Sequence, residues 1–198
     1  PSVPDLASED DSGTFTTDNI TNRTTGLTIS GTAEANATVD VFAGAVNKGT
    51  VAADGSGNWS LDISLEDGDN SYSITAAATD AAGNISDASD ILTIEIDTTA
   101  PAGYSAAVDQ AGINAANQDA VSITISDGET GTLYSYSLND TCGTTAAVAD
   151  IGTIGAAVQQ ITGIDLSGLD DDMLTLTVTL TDVAGNAGTA ALDTVLKD

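Results

Sequence analysis

Residues 79–84 read Thr79-Asp80-Ala81-Ala82-Gly83-Asn84, and residues 181–186 read Thr181-Asp182-Val183-Ala184-Gly185-Asn186. The same phrase stands twice, 102 residues apart from Asp80 to Asp182. Self-similarity at a fixed period is the mark of a repeat array. Upstream, Leu27-Thr28-Ile29-Ser30 followed by Glu34 matches Ile123-Thr124-Ile125-Ser126 followed by Glu129. The chain therefore reads as two diverged copies of one module, residues 1–97 and 98–198, meeting at Asp97-Thr98-Thr99-Ala100-Pro101.

Within each copy the elements read as strands. Leu174-Thr175-Leu176-Thr177-Val178-Thr179-Leu180 alternates apolar and polar residues, as a half-buried strand must. Val39-Asp40-Val41-Phe42 and Leu92-Thr93-Ile94-Glu95-Ile96 share that period, the latter with Leu92, Ile94 and Ile96 facing inward. Turn residues separate the runs: Asp54-Gly55-Ser56-Gly57-Asn58, Glu66-Asp67-Gly68-Asp69-Asn70 and Ala82-Gly83-Asn84. No stretch carries a helical period. About six to eight short strands per ~100 residues predict an all-β fold built as β-sandwiches. Trp59 is expected to plug the core between sheets. Tyr72, near the start of the penultimate strand, stands where a tyrosine corner belongs.

Charge narrows the function. Thirty acidic residues face only Arg23, Lys48 and Lys197, for a net charge of −27. Phosphate binding needs clustered Lys and Arg, so no nucleic-acid or anionic-membrane partner is expected. No apolar run approaches the roughly 20 residues of a membrane span, so no direct membrane insertion is expected either. A compact body with this charge repels itself. Carboxylates converging on divalent cations relieve the repulsion locally; solubility in salty surroundings is the plainer reading. Catalysis fares poorly. The chain has no His, which removes the commonest general base. Cys142, the single cysteine, permits no intrachain disulfide and lacks a His to activate it, so it reads as an incidental half-buried or loop residue. Two carboxylates suffice for a glycosidase, but two Phe, four Tyr and one Trp are few to line a sugar cleft.

Four stretches carry a resemblance: Ile29-Ser30-Gly31-Thr32-Ala33-Glu34-Ala35-Asn36-Ala37-Thr38-Val39, Asp54-Gly55-Ser56-Gly57-Asn58-Trp59, Thr79 to Asn84, and the Asp97-to-Pro101 junction. They resemble bacterial Ig-like repeats from the extender region of large RTX-type and biofilm-associated adhesins. The likeness is strong over 1–97 and weaker over 98–198, whose middle lacks the Asp-Gly-Ser-Gly-Asn-Trp turn. It implies two tandem immunoglobulin-like β-sandwiches in an extended end-to-end arrangement, with calcium stiffening the junctions. It also implies type I secretion to the bacterial cell surface or the extracellular space, and a distal adhesive domain elsewhere in the parent protein. Pro1 to Pro4 read as a linker, and the sequence is expected to be a piece of something longer.

Calcium takes six to eight oxygen ligands, mixing carboxylates with carbonyls. In such a sandwich the loop after the penultimate strand lies at the same end as the N-terminal segment and the loop between the second and third strands. In the second copy this gathers Asp182 and Asn186 toward Asp97, the Thr99 carbonyl and Glu129; in the first, Asp5, Glu34, Asp80 and Asn84. The alternative is structural: Asp80 and Asn84 closing an Asx-type turn with Gly83 at positive φ. Glu9-Asp10-Asp11 with Asp18 form a second cluster, matched by Asp109 and Asp119, which completes these sites or binds a further ion. Asp67, Asp69 and Asp170-Asp171-Asp172 read as solvated turns at the opposite end. The expected function is that of extender repeats, each joint a calcium site between neighbouring repeats of the same chain. The alternative is a ligand-binding module that recognises a glycan or a host protein through exposed loops.

Overall fold

The computed structural model describes residues 1–141 and 145–198; Cys142 lies outside the described residues. The chain divides into two compact units, Pro1–Thr99 and Ala100–Asp198. All regular structure among the described residues is strand.

The first unit runs through β1 (Asp5–Leu6), β2 (Ile20–Thr21), β3 (Thr25–Thr32), β4 (Thr38–Ala43), β5 (Val46–Ala52), β6 (Asn58–Ser64), β7 (Asn70–Thr79) and β8 (Leu92–Ile96). One sheet has the order β1-β3-β6, the other β2-β8-β7-β4-β5. Every pairing is antiparallel except β2 with β8, where Ile20 stands opposite Glu95 in parallel register. The chain thus begins in one sheet, crosses over residues 7–19, and joins the far edge of the other.

Alternation builds the core between the sheets. Val39, Val41, Ile74, Ala76, Ile94 and Ile96 point inward from one sheet, and Leu27, Ile29, Trp59 and Ile63 from the other. The inward face read for Leu92, Ile94 and Ile96 is the buried one. Trp59 is 4% exposed and lies over the backbone of Gly31, where a Cβ would stand 2.6 Å from the indole. Tyr72 sends its hydroxyl to the Glu66 carbonyl at 3.4 Å, six residues upstream, in the manner of a tyrosine corner.

The second unit repeats this plan. Its strands are β9 (Ser105–Val108), β10 (Val121–Ser126), β11 (Leu133–Asp140), β12 (Val148–Thr153), β13 (Val158–Ile164), β14 (Met173–Thr181) and β15 (Ala191–Leu196). They form sheets of order β13-β10-β9 and β12-β11-β14-β15. A parallel bridge between Ile113 and Lys197 takes the place of β2 against β8. Leu174, Leu176, Val178 and Leu180 are fully buried. Tyr104 ties the N-terminal segment to the body: its hydroxyl donates to the Thr189 carbonyl (2.7 Å) and accepts the Leu180 N–H (3.1 Å).

Two of the three cations are used internally. Arg23 pairs with Asp10, which is 3% exposed and also accepts the Thr28 N–H at 2.8 Å. The buried Lys197 donates to Asp171 (2.7 Å) and to the Leu169 carbonyl (2.9 Å). Asp171 is therefore an ion-pair residue and not merely part of a solvated turn, because β15 delivers Lys197 to the turn that precedes β14.

Candidate functional site

The phrase that announces the repeat folds into the same loop both times. Asp80 N–H donates to the Asn84 carbonyl (3.0 Å); Ala82 and Asn84 N–H both donate to Asp80 Oδ1 (2.8 Å each); Asn84 Nδ2 donates to Asp80 Oδ2 (2.7 Å). Gly83 supplies the positive φ of 91° that closes the turn. In the second unit Asp182 N–H donates to the Asn186 carbonyl (3.1 Å), and Asn186 donates through N–H and Nδ2 to the two Asp182 oxygens at 2.8 and 2.9 Å. The Asx-turn geometry is thus realised at both positions. A carboxylate has about four lone-pair directions, so these bonds leave room for a cation at each.

The turn read at Asp54-to-Asn58 is a third copy of this loop, an equivalence the sequence reading did not draw. Asp54-Gly55-Ser56-Gly57-Asn58 makes the same bonds: Asp54 N–H to the Asn58 carbonyl (2.8 Å), and Ser56 and Asn58 N–H to Asp54 Oδ1 (2.8 and 2.9 Å). The signal was present as the shared Asp-x-x-Gly-Asn spacing.

Register places the loops. Thr38 opposes Thr79, so residues 33–37 and 80–84 lie at one end of the first unit. Thr32 opposes Asn58, which brings 54–58 to the same end. Ser2 N–H donates to the Thr32 carbonyl at 2.8 Å, so the N-terminal segment is there too. Glu34, Asp80 and Asn84 line one cleft of about 260 Å³ together with Pro1. Asp5 does not line it; from β1 it lines a second cleft of about 230 Å³, beside Asp11. In the second unit Leu133 opposes Thr181, so the turn carrying Glu129 and the Asp182–Asn186 loop share an end. The Glu129 carbonyl there accepts from Thr132 N–H (3.3 Å) and Oγ1 (2.7 Å), and its side chain is exposed. Asp97 and Thr99 belong to the first unit. Among the described residues, no three Asp, Glu, Cys or His side chains are grouped closely enough to hold a metal ion by themselves.

Residues at the C-terminal exit of the first unit are held in place. Asp97 Oδ1 accepts the Thr99 N–H at 3.0 Å. Asp69, read from sequence as a solvated turn, accepts Thr98 N–H (2.7 Å), Thr98 Oγ1 (3.2 Å) and Thr99 Oγ1 (2.6 Å). The cause is register: Asn70 opposes Ile96, so the turn before β7 meets the residues that follow β8.

The paired crossover clusters differ between the units. Asp11 is buried, its Oδ2 accepting the Asn19 N–H at 3.0 Å, and Asp18 accepts the Ile20 N–H at 3.2 Å. Asp109 instead accepts from three side chains, Ser122 (2.6 Å), Thr124 (2.7 Å) and Gln160 (2.8 Å). Asp119 is exposed.

These environments set opposite pH responses. The Asn58 and Ser56 N–H groups hold the Asp54 carboxyl below its ordinary 3.8, and the Asn84 side chain and N–H do the same for Asp80. Burial, with Asp18 adding repulsion, raises Asp11 above 3.8. A depressed carboxyl contributes stability above its unfolded pKa and loses it as pH falls through the folded value; a raised one destabilises when charged. With no divalent cation present, protonation of Asp11 is expected to come first and to raise the first unit's melting temperature. Below pH 3.8 the loop bonds of Asp54 and Asp80 are then lost and the melting temperature falls. Calorimetry from pH 7 to pH 2 in chelator checks both slopes.

Fold and loops together define an immunoglobulin-like β-sandwich that presents acidic loops at one end. Residues 1–98, nearly the whole of the first unit, match the model of the bacterial Ig-like domain family. No curated protein matches the chain. Among solved structures, it is similar to fibronectin(III)-like modules of Clostridium thermocellum CbhA at 12% identity, over 99% of this chain and 94% of that one, with a TM-score of 0.53. It is similar to a tetra-tandem repeat in the extending region of a large adhesion protein at 23% identity, over 98% of this chain, with a TM-score of 0.40. It is also similar to the BSP domain of a biofilm-associated protein at 19% identity, over 98% of this chain, with a TM-score of 0.31. This chain spans 48% of the adhesion-protein structure and 29% of the biofilm-associated one.

Proposed function

We propose that the chain is a pair of extender repeats of a cell-surface or secreted bacterial adhesin, non-catalytic, stiffened by calcium at the junctions between repeats. The observation that carries this reading is the repetition of a whole sandwich with the same Asp-x-x-Gly-Asn loop at the same place in each copy. The match of residues 1–98 to the bacterial Ig-like domain family supports it. So does the Asp69 clamp, which fastens Thr98 and Thr99 to the body of the first unit and shortens the free linker.

In this reading each N-terminal end takes one calcium. Glu34, Asp80 and Asn84 hold it in the first unit, with a preceding repeat completing the set. Glu129, Asp182 and Asn186 hold it in the second, with Asp97 and the Thr99 carbonyl supplied from the first. The partners are neighbouring repeats of the same chain, and the adhesive domain lies elsewhere in the parent protein. Extracellular calcium modules bind with Kd of about 10⁻⁴ to 10⁻³ M. Calorimetric titration of the 198-residue chain with calcium tests the assignment: Asp182→Asn is expected to weaken the junction event at least ~10-fold, about 1.4 kcal/mol. Equal binding by the wild type and Asp182→Asn sinks the junction site.

A further inference from the structure

The second unit carries one sheet face that departs from the acidity of the rest of the molecule. Residues opposite each other on paired strands point to the same side, and successive residues alternate. The buried positions of β11, β14 and β15 therefore fix which side of the β12-β11-β14-β15 sheet faces out. Across that side run the rows Ile151–Ser135–Thr179, Ala149–Ser137–Thr177–Leu192 and Met173–Leu196. No outward position on these strands is charged. The acidic residues of the same strands all lie on the inner side. Asp140 is buried, Asp150 stands in register with the buried Tyr136, and Asp193 accepts the Val108 N–H at 2.9 Å. The corresponding sheet of the first unit differs: Asp40 on β4 and Glu95 on β8 stand outward between buried neighbours.

Apolar side chains gather on the uncharged face. Five large ones are exposed among the described residues of the second unit. Ile151 (73%), Leu192 (65%), Leu196 (53%) and Met173 (42%) stand on this face, and Val158 is the fifth. Ser and Thr fill the middle, so the surface is flat, with apolar groups toward both edges.

Charge selects the occupant. Two copies of a chain with net charge −27 repel wherever carboxylates meet, and a cationic partner is drawn to the acidic loops instead. On this face two copies can touch without bringing charges together, and the pair closes on itself about a two-fold axis. From strand spacing and rise the face covers on the order of 500 Å² per copy, against ~800 Å² per partner in a standard interface, so the pairing is weak. We propose that the outward face of the β12-β11-β14-β15 sheet is a self-association surface, where the second unit of one chain packs against the second unit of another. This rests on neither calcium nor the extender reading.

Sedimentation of the 198-residue chain in chelator tests it, at up to ~1 mM protein and from ~0.1 to ~1 M NaCl, over which the Debye length falls from ~10 to ~3 Å. Dimer is expected to increase with salt, because screening removes the repulsion while the contact itself contains no ion pair. Thr177→Asp and Leu192→Asp are each expected to weaken pairing at least ~10-fold, since each sets like charges inside the contact. Leu192 is 65% exposed, so its replacement leaves the core untouched, and unchanged melting of the second unit verifies this. An equimolar mixture of Thr177→Asp and Thr177→Lys is expected to recover the pairing that neither shows alone. Ser73→Asp, on the corresponding face of the first unit, is expected to pair like the wild type. A wild type that stays monomeric at the highest salt overturns the proposal, as does a dimer indifferent to both Thr177→Asp and Leu192→Asp. Retention of a monomeric wild type on uncharged cross-linked dextran, lost in Thr177→Asp, overturns it too and gives the face to a glycan.

Discussion

Replacing Trp59 by alanine is expected to destabilise the first unit by about 3–5 kcal/mol, the range for deleting a large aromatic from a packed core. Trp59 is the largest side chain in a core otherwise made of Leu, Ile, Val and Ala, so its neighbours have little bulk with which to refill the space. It also covers Gly31 so closely that the two are matched in shape. Its indole N–H is buried without a partner, so Trp59→Phe, which removes that group and keeps most of the volume, is expected to cost much less. Calorimetry reads both. The second unit's buried cluster begins at Ala106, and its transition is expected to stay in place while the first unit's moves down. A shift of both transitions together would show that the units do not unfold separately.

Gly57→Ala and Gly83→Ala form the second pair, a comparison inside one loop motif. Both glycines sit at the fourth position of Asp-x-x-Gly-Asn, with φ of 87° and 91°. A Cβ at Gly83 meets nothing within 4 Å, so alanine there pays only for its backbone conformation, about 1–2 kcal/mol. At Gly57 the Cβ would stand 2.4 Å from the Ala33 carbonyl oxygen, which is backbone and cannot swing aside. The Ala33 N–H donates to the Gly57 carbonyl at 2.8 Å, so relieving the clash also breaks a bond. Gly57→Ala is expected to cost about 2–5 kcal/mol, the conformational cost plus overpacking. Equal costs at the two positions, measured by denaturant unfolding, would mean that contact with residues 33–37 does not govern this loop.

What was legible in the sequence was whatever is local and periodic. The period of two in Leu92-Thr93-Ile94-Glu95-Ile96 names its buried face outright, and the recurrence of Asp80 at Asp182 exposes the repeat. What was not legible depends on which strands lie side by side. Asp10 pairs with Arg23 because the crossover loop folds back over the start of β3. Asp69 reaches Thr98 and Thr99, about thirty positions on, through the β7–β8 register. Asp109 is bound by Gln160, 51 residues away, through the two neighbours of β10. Asp10 and Asp11 are sequence neighbours, yet Asp10 pairs with Arg23 while one oxygen of the buried Asp11 is left without a partner, and no local pattern separates them. Acidic residues were therefore visible as a surplus, while their individual partners were not.

Whether calcium turns two acidic sandwiches into a stiff spacer is read by small-angle X-ray scattering of the 198-residue chain. The scattering is recorded once in millimolar calcium and once in chelator. A single elongated distance distribution is expected in calcium, broadening when the ion is removed. Superimposable profiles in the two conditions would contradict it, leaving the acidic loops as surface charge.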